Sequence, residues 1–334
     1  MAITAKELAK QLNLSTAAVS MALNGKPGVS TRTRKMVLEA AHANGYDFSK
    51  LSQRRRKSGT IYLVMYRKHG AVVGSTEFFE TLILGARDAC SDIGISLRII
   101  YMEASDILTE APDGIFRSDC IGIVLLGTEM KENDFLLFQN LNYPIVVLDS
   151  YSESKKMDFV TMNNVEGAYE ATRYLIRKRQ IRPGYLHSKY PIYNFSKRME
   201  GYFKALHDSS YSSSDAVIHE LTPSMEGAYY DMLKIIESSD TLAECYFADN
   251  DLIAAGAMKA FQDKGFSLPD EIGIVGFDNV PLCTYIHPQL TTINVPVKYM
   301  ARTAIGRLLY RVESQNYYPV LIMVGTNLIE RKSV

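Results

Sequence analysis

From residue 60 onward the chain repeats one pattern: a short, almost unbroken apolar run, then a stretch with helical spacing. The runs read IYLVMY (61–66), ISLRIIYM (95–102), CIGIVLLG (120–127), PIVVLD (144–149), PGYLHS (183–188), ECYFAD (244–249) and IGIVGFD (272–278), with a helix expected from Glu77 to Ile93. A strand that is apolar on nearly every residue must be covered on both faces, as parallel strands joined by crossover helices are. The pattern predicts a doubly wound α/β architecture. Roughly ten strands are too many for one compact sheet, so two lobes are expected. MDFVTMN (157–163) reads as the first crossing between them, and LTTINVP (290–296) and the segment near Gly325 read as two returns.

In such sheets ligands sit beyond the carboxyl ends of the strands. The polar residues that end the apolar runs are therefore site candidates: Arg67, Lys68 and His69, then Asp149, then Asp249, Asn250 and Asp251, then Asp278. Each alone fits a helix N-cap equally well. Convergence of four strand ends on one cleft is what favours a binding role. The cluster Arg67-Lys68-His69 suits either a phosphate or carboxylate ligand or a solvent-facing loop.

The first 60 residues differ in kind. They hold six Lys and five Arg against Glu7, Glu39 and Asp47, a balance of +8, and because the whole chain is neutral the remainder carries −8. Positive charge kept in one small block marks a surface for a polyanion. Thr4-Ala5-Lys6-Glu7 fits a capping box, and Leu8, Ala9 and Leu12 give one apolar stripe. Ser15 caps a second helix from Thr16 to about Leu23, with Val19, Ala22 and Leu23 on one face and Thr16, Ala17, Ser20 and Met21 on the other. Asn24-Gly25 ends it. Ser30 caps a third helix running to about Asn44, with Gly45 as its stop. Two short helices on a tight turn are either a helix-turn-helix, whose second helix enters the DNA major groove, or a plain helical bundle.

Other classes leave no mark. No apolar run reaches the ~18 residues of a membrane helix. The N-terminal MAITAKELAKQLNLS lacks the apolar core of a signal peptide, so a cytoplasmic location is expected and an exported solute-binding protein is not. Cys90, Cys120, Cys245 and Cys283 are far apart and the six His form no ligand pair, so no metal or cofactor is expected. GxGxxG, GxxxxGK[ST] and GxSxG are all missing, which leaves no catalytic residue to name and makes an enzyme the remote alternative.

The run from Leu8 to Tyr46, LAKQLNLSTAAVSMALNGKPGVSTRTRKMVLEAAHANGY, resembles the head of the lactose/galactose repressor family of bacterial transcription regulators. The resemblance lies in Leu-Ser-x-x-x-Val-Ser-x-x-Leu-Asn, in Val-Ser-x-x-Thr-Arg opening the third helix, and in the closing Gly-Tyr. It implies that Thr16, Ala17 and Met21 face base edges, where a hydroxyl, a methyl and a thioether offer little hydrogen-bond readout. Met21 has packing as its alternative role. Thr4, Ser15, Ser20, Asn24, Thr33 and Arg34 suit phosphate contact. In the hinge YDFSKLSQRRRKSGT (46–60), Phe48 stands where the family usually has Pro and Arg55 where it has a wedging Leu. Arg54, Arg55 and Arg56 then read either as minor-groove contacts or as a solvated basic linker.

The resemblance continues through DNDLIAAGAMKAF, VGFDN, HPQLTTINVP and GTNLIERKSV, and RMEGYFKAL is similar to the segment whose Arg grips the effector. It departs at Asn163-Asn164, where Asp-Asn is common, and at Arg177-Lys178-Arg179-Gln180, which lacks the usual Gly-His. It implies Phe78 or Phe79, Asp149, Arg198, Asn250 and Asp278 as effector contacts. Carboxylates, an amide and a guanidinium suit vicinal hydroxyls, and with no Trp in the chain, Phe or Tyr must cover a sugar ring.

The expected fold is an all-α helix-turn-helix domain (1–47), a hinge (48–59) and a two-lobed, doubly wound, periplasmic-binding-protein-like effector domain (60–334). Lobe 1 is placed at about 60–161 and 292–323, lobe 2 at about 162–291 and 324–334. The expected function is a dimeric repressor binding a pseudo-palindromic double-stranded operator under control of a small carbohydrate. A nucleobase or a partner protein in place of the sugar is the alternative.

Overall fold

The computed structural model describes residues 3–23, 28–46, 59–74, 76–105, 115–238, 240–314 and 318–334. The chain divides into two compact units, Met1–Ser58 and Gly59–Val334.

In the first unit, helices α1 (Ala5–Gln11), α2 (Thr16–Leu23) and α3 (Thr31–Ala43) start where their caps place them. The Thr4 hydroxyl accepts the Glu7 amide at 3.3 Å while the Glu7 carboxylate accepts the Thr4 amide at 2.8 Å. Ser15 and Ser30 accept the amides of Ala18 and Thr33, each at 3.1 Å. Leu8, Ala9, Val19, Ala22, Leu23, Val37 and Ala41 make the core of this unit.

The second unit opens with β1 (Thr60–Arg67), α4 (Glu77–Asp92), β2 (Ser96–Glu103), β3 (Cys120–Leu126), α5 (Phe135–Gln139), β4 (Ile145–Leu148) and β5 (Asp158–Met162). It crosses into α6 (Asn164–Arg179), β6 (Gly184–Ser188), α7 (Tyr193–Asp208), β7 (Ile218–Leu221), α8 (Met225–Glu237), β8 (Cys245–Ala248), α9 (Asp251–Asp263), β9 (Gly273–Asp278), α10 (Leu282–Tyr285) and β10 (Thr291–Asn294). It returns through α11 (Val297–Glu313) to β11 (Leu321–Val324) and ends across the boundary with β12 (Asn327–Ile329). The two sheets run β11-β5-β4-β3-β1-β2 and β12-β10-β9-β8-β6-β7.

The unbroken apolar strands are explained by burial on both faces. Along β1, Ile61, Leu63 and Met65 enter one core while Tyr62, Val64 and Tyr66 enter another. Helix pairs close tightly where glycine permits it. A Cβ on Gly201 would stand 2.2 Å from the Val165 carbonyl oxygen, and one on Gly256 2.3 Å from that of Met225, so α6–α7 and α8–α9 cross with backbones nearly touching.

Three details differ from the sequence reading. The strand Thr291–Asn294 pairs with β9 and β12 in the second sheet, so the return placed at 292 falls after Asn294. The strand β12 is antiparallel to β10. The strand β7, with His219 and Glu220 at its centre, lacks the apolar run that would have announced it.

The return is fastened by charge. Asp158 is fully buried, lies 3.0 Å from Arg307 and 3.6 Å from Arg311 of α11, and accepts the Val320 amide at 2.9 Å just before β11. Removing the carboxylate takes the shared counter-ion from two largely buried guanidinium charges, leaving them carbonyl acceptors such as those of Tyr318 and Ile145. Asp158→Ala should therefore lower stability by about 3 kcal/mol in urea unfolding; a loss under about 1 kcal/mol would mean that the two Arg find solvent or other acceptors.

Candidate ligand-binding site

A cavity of about 440 Å³ lies between the two lobes. It is built from strand ends and helix starts. Thr128 follows β3, Asp149 follows β4 and Asp278 ends β9, while Phe78 and Phe79 begin α4, Asn194, Phe195 and Arg198 lie in the first turns of α7, and Asn250 caps α9. All six residues expected to contact an effector (Phe78, Phe79, Asp149, Arg198, Asn250 and Asp278) line this one cavity.

The polar groups form a continuous chain across the cleft. Asp149, buried at a positive φ of 64°, accepts the Thr128 hydroxyl at 2.5 Å and the Asn194 amide at 2.9 Å. Asn194 in turn accepts from the Asn164 amide at 2.9 Å, and Asn164 accepts Arg198 Nε at 3.0 Å. Arg198 Nη2 lies 3.4 Å from Asp278 and 3.3 Å from Met162 Sδ, its Nη1 donates to the Asp249 carbonyl, and its guanidinium sits 3.7 Å from the Phe277 ring centroid. A side chain read from sequence as a hand reaching for ligand is thus first a tie within the protein, 3% exposed.

Burial dominates the electrostatics. It pushes the Asp149 carboxyl up to about 6, against the pull of Thr128, Arg198 and Asn194. Asp278, at φ 115°, is also raised by burial, and Arg198 opposes the shift while Asp251 and Asp149 add to it. Asp251 is raised to about 6 by burial. It is structural in its contacts, accepting the Thr292 hydroxyl at 2.5 Å and the Val280 amide at 3.0 Å. Asp249 faces away from the cavity, accepting the Tyr185 hydroxyl and the Ser188 amide. Asn250 lines the cavity and also caps α9 through the Ile253 amide at 2.8 Å.

The basic cluster at the end of β1 does not face the cleft as a free anion site. Arg67 lies 3.6 Å from Glu103, Lys68 2.7 Å from Asp134 and His69 3.3 Å from Glu129. Carboxylates neutralise Arg67 and Lys68, and the His69 ring accepts the Ala71 amide through Nδ1, which removes the argument for a phosphorylated or acidic ligand. Strand-end reasoning missed Asn194, Phe195 and Thr128. Asn194 stands four residues before Arg198, one helical turn away on the same face, and that spacing was the available signal.

In the first unit, Thr16, Ala17 and Ser20 are exposed on α2 opposite the buried Val19 and Ala22. Met21 is half-buried, with its thioether beside Gly28. Thr4, Ser15 and Thr33 take part in the helix caps, and Arg34 is half-buried. Asn24, Arg54, Arg55 and Arg56 lie outside the described residues.

Comparison with known proteins agrees with this architecture. Residues 172–334 match the model of a periplasmic binding protein-like domain. The chain is 30% identical over 304 residues to the HTH-type transcriptional regulator GalS of Salmonella typhimurium, spanning 90% of this chain and 88% of that one. It is 27% identical over 335 residues to the HTH-type transcriptional repressor PurR of Pasteurella multocida, spanning 99% and 98%. A solved complex of the transcriptional regulator CelR with cellobiose superposes with a TM-score of 0.74 at 21% identity, over 99% of this chain and 100% of that one. Two parallel-sheet lobes around a cleft define a periplasmic-binding-protein-like ligand domain. The chain belongs to the lactose/galactose repressor family: it is a regulator of transcription, not an enzyme.

The raised carboxyl at Asp149 has a consequence for stability. The folded chain holds this proton more tightly than the unfolded chain, whose Asp titrates near 3.8. The contribution is fully present below about pH 4 and fades as pH rises through about 6. Asp149→Asn, which tolerates the positive φ, should be more stable than the parent at pH 7–8 by about 1–3 kcal/mol, with the gap closing below pH 4. Melting temperatures from pH 4 to 8 check this; a gap independent of pH would remove Asp149 as the titrating group.

Proposed function

We propose that this regulator is a repressor that binds a pseudo-palindromic operator as a homodimer in the cytoplasm and is controlled by a neutral sugar held between its lobes. The composition of the cleft carries the reading. Asp149 and Asp278 offer acceptors, Asn194 and Asn250 offer amides, and Phe78, Phe79 and Phe195 supply apolar faces, a mixture suited to a ring bearing hydroxyls. The charge balance opposes an anion: Glu77, Asp149, Asp251 and Asp278 line the cavity, and the one guanidinium among them is already committed. A flat nucleobase fits less well, because Phe78 and Phe79 meet edge to face at 82° and make no parallel pair of walls. The CelR complex, in which cellobiose is bound, supports a carbohydrate in a domain of this fold.

On the DNA side, α1 and α2 are read as a helix-turn-helix, with the exposed face of α2 (Thr16, Ala17 and Ser20) in the major groove. Those side chains offer few hydrogen bonds to base edges. Backbone contacts, including those of Arg54, Arg55 and Arg56, carry much of the affinity.

Two experiments follow. In a thermal-shift panel on the full chain, a neutral mono- or disaccharide should raise Tm by several degrees while its phosphate ester does not. A larger shift with the ester or with a nucleobase would overturn the sugar assignment. Operator affinity should fall steeply and linearly in log–log against salt; a flat dependence would contradict backbone-dominated binding.

A further inference from the structure

A further buried carboxylate stands beside the cleft, one that carried no signal in the sequence. Glu129 follows Thr128 at the end of β3 and is 2% exposed. Among the described residues no Lys or Arg side chain pairs with it, and the His69 ring nitrogen lies 3.3 Å away. Instead the loop after β1 wraps around it. Its Oε2 accepts the amides of Lys68 at 2.8 Å, His69 at 3.0 Å and Gly70 at 3.0 Å, and its Oε1 accepts those of Val72 and Val73, each at 2.8 Å. Five backbone amides turned toward one point make an anion nest, and here the anion is part of the chain. Burial pushes the Glu129 carboxyl up, but the amides of Val73, His69, Val72 and Gly70 more than offset it and hold it ionised.

The loop held in this way reaches two places. Val72 and, beyond it, Thr76 line the cavity, and the Thr76 hydroxyl makes no cap bond to its own helix. His69 extends to the other lobe, its ring 4.9 Å from that of Tyr190 in the turn after β6. The His69 ring is oriented by the Ala71 amide, which donates to Nδ1 at 3.1 Å. Lys68 pins the start of the loop to Asp134 through two bonds of 2.8 and 2.7 Å. The neighbouring Thr128 meanwhile holds Asp149 at 2.5 Å. One dipeptide at the end of β3 therefore sets both the carboxylate in the cleft and the loop along its wall.

We propose that Glu129 is a positioning residue for effector recognition: its carboxylate fixes the course of residues 68–73, and through them the place of Val72 in the wall of the cleft and the contact of His69 with Tyr190 across the lobes. The proposal rests on this cleft being the effector site. It assigns the Arg67-Lys68-His69 segment a role as a strap moulded around an internal anion. Gln in place of Glu129 keeps the size but replaces one acceptor oxygen by a donor facing backbone N–H groups, so at least two of the five bonds are lost.

The test uses the full chain with Glu129→Gln, Tyr190→Ala and the double variant. Hydrogen exchange in peptides covering 68–73 should speed at least tenfold in Glu129→Gln, with β1 and β3 unchanged, and should stay slow in Tyr190→Ala. The Tm losses of the two single variants should exceed additivity, the double variant losing less than their sum, because both break the same contact. Exchange rates equal to the parent, or strictly additive Tm losses, would overturn the proposal. With cellobiose and D-galactose as probes, whichever binds the parent should bind Glu129→Gln at least tenfold more weakly; unchanged affinity would also overturn it. If neither sugar binds the parent, the choice of sugar fails, while exchange and additivity still decide the role of Glu129. Should Glu129→Gln fail to fold, His69→Ala replaces it in the same cycle with Tyr190→Ala, and additive Tm losses there would overturn the contact.

Discussion

Arg198 sits among Asp149, Asp251 and Asp278 with 3% of its surface exposed, and a charge so placed must be matched or it costs several kcal/mol. The matching is shared between lobes. Asn164, Phe277 and Asp278 hold the guanidinium from one lobe and Met162 from the other, and Asn194 links Asn164 onward to Asp149. Asp278 keeps room for another donor: its side chain is 15% exposed and meets Arg198 at 3.4 Å. A ligand hydroxyl that bonds to Asp149, Asn194 or Asp278 therefore enters a network that also sets how the lobes meet. Coupling of ligand to lobe geometry follows from this without a separate device.

The strand ends supply the geometry. Asp149 and Asp278 both adopt positive φ, as does Asn279, which turns their side chains out of the strand direction and toward the cleft. Such backbone costs of order 1–3 kcal/mol per residue and persists where surrounding bonds over-determine it. At Asp149 those bonds come from Thr128 and Asn194, and next to Asp278 Asn279 is fixed by Arg331 at 2.6 Å and Asn294 at 2.9 Å. Asp149 and Asp278 both line the cavity, and Thr128, beside Glu129, anchors the first of them.

Much of this was legible from residues alone, for identifiable reasons. Parallel strands buried on both faces declare themselves as apolar runs, so β1, β3 and β9 were plain. The strand β7 was not, because an edge strand may alternate or carry polar residues such as His219 and Glu220. Polar residues at strand ends led to Asp149, Asn250 and Asp278, but the same rule selected Asp249, which Tyr185 and Ser188 turn away, and Asp251, which lines the cavity yet is bound by Thr292 and Val280. Sequence cannot separate these, since the distinction lies in which way each carboxylate turns. Arg198 was found through its motif, yet its commitment to Asn164 and Asp278 needed three dimensions. Lys68 looked like a free cation because Asp134, which neutralises it, comes some sixty positions later. Glu129 itself carried no signal, because a carboxylate bound by backbone amides leaves no partner side chain to read.

Asn194 reaches from one lobe to Asp149 of the other, so it is the residue through which the network and the ligand most directly meet. The decisive measurement is operator affinity, by fluorescence anisotropy, with and without a saturating neutral sugar, for the parent chain and for Asn194→Ala. A change of at least tenfold on adding sugar to the parent, lost in Asn194→Ala, is the expected result. An equal response to sugar in both chains would contradict a cleft organised around the Asp149–Asn194–Asn164–Arg198 chain.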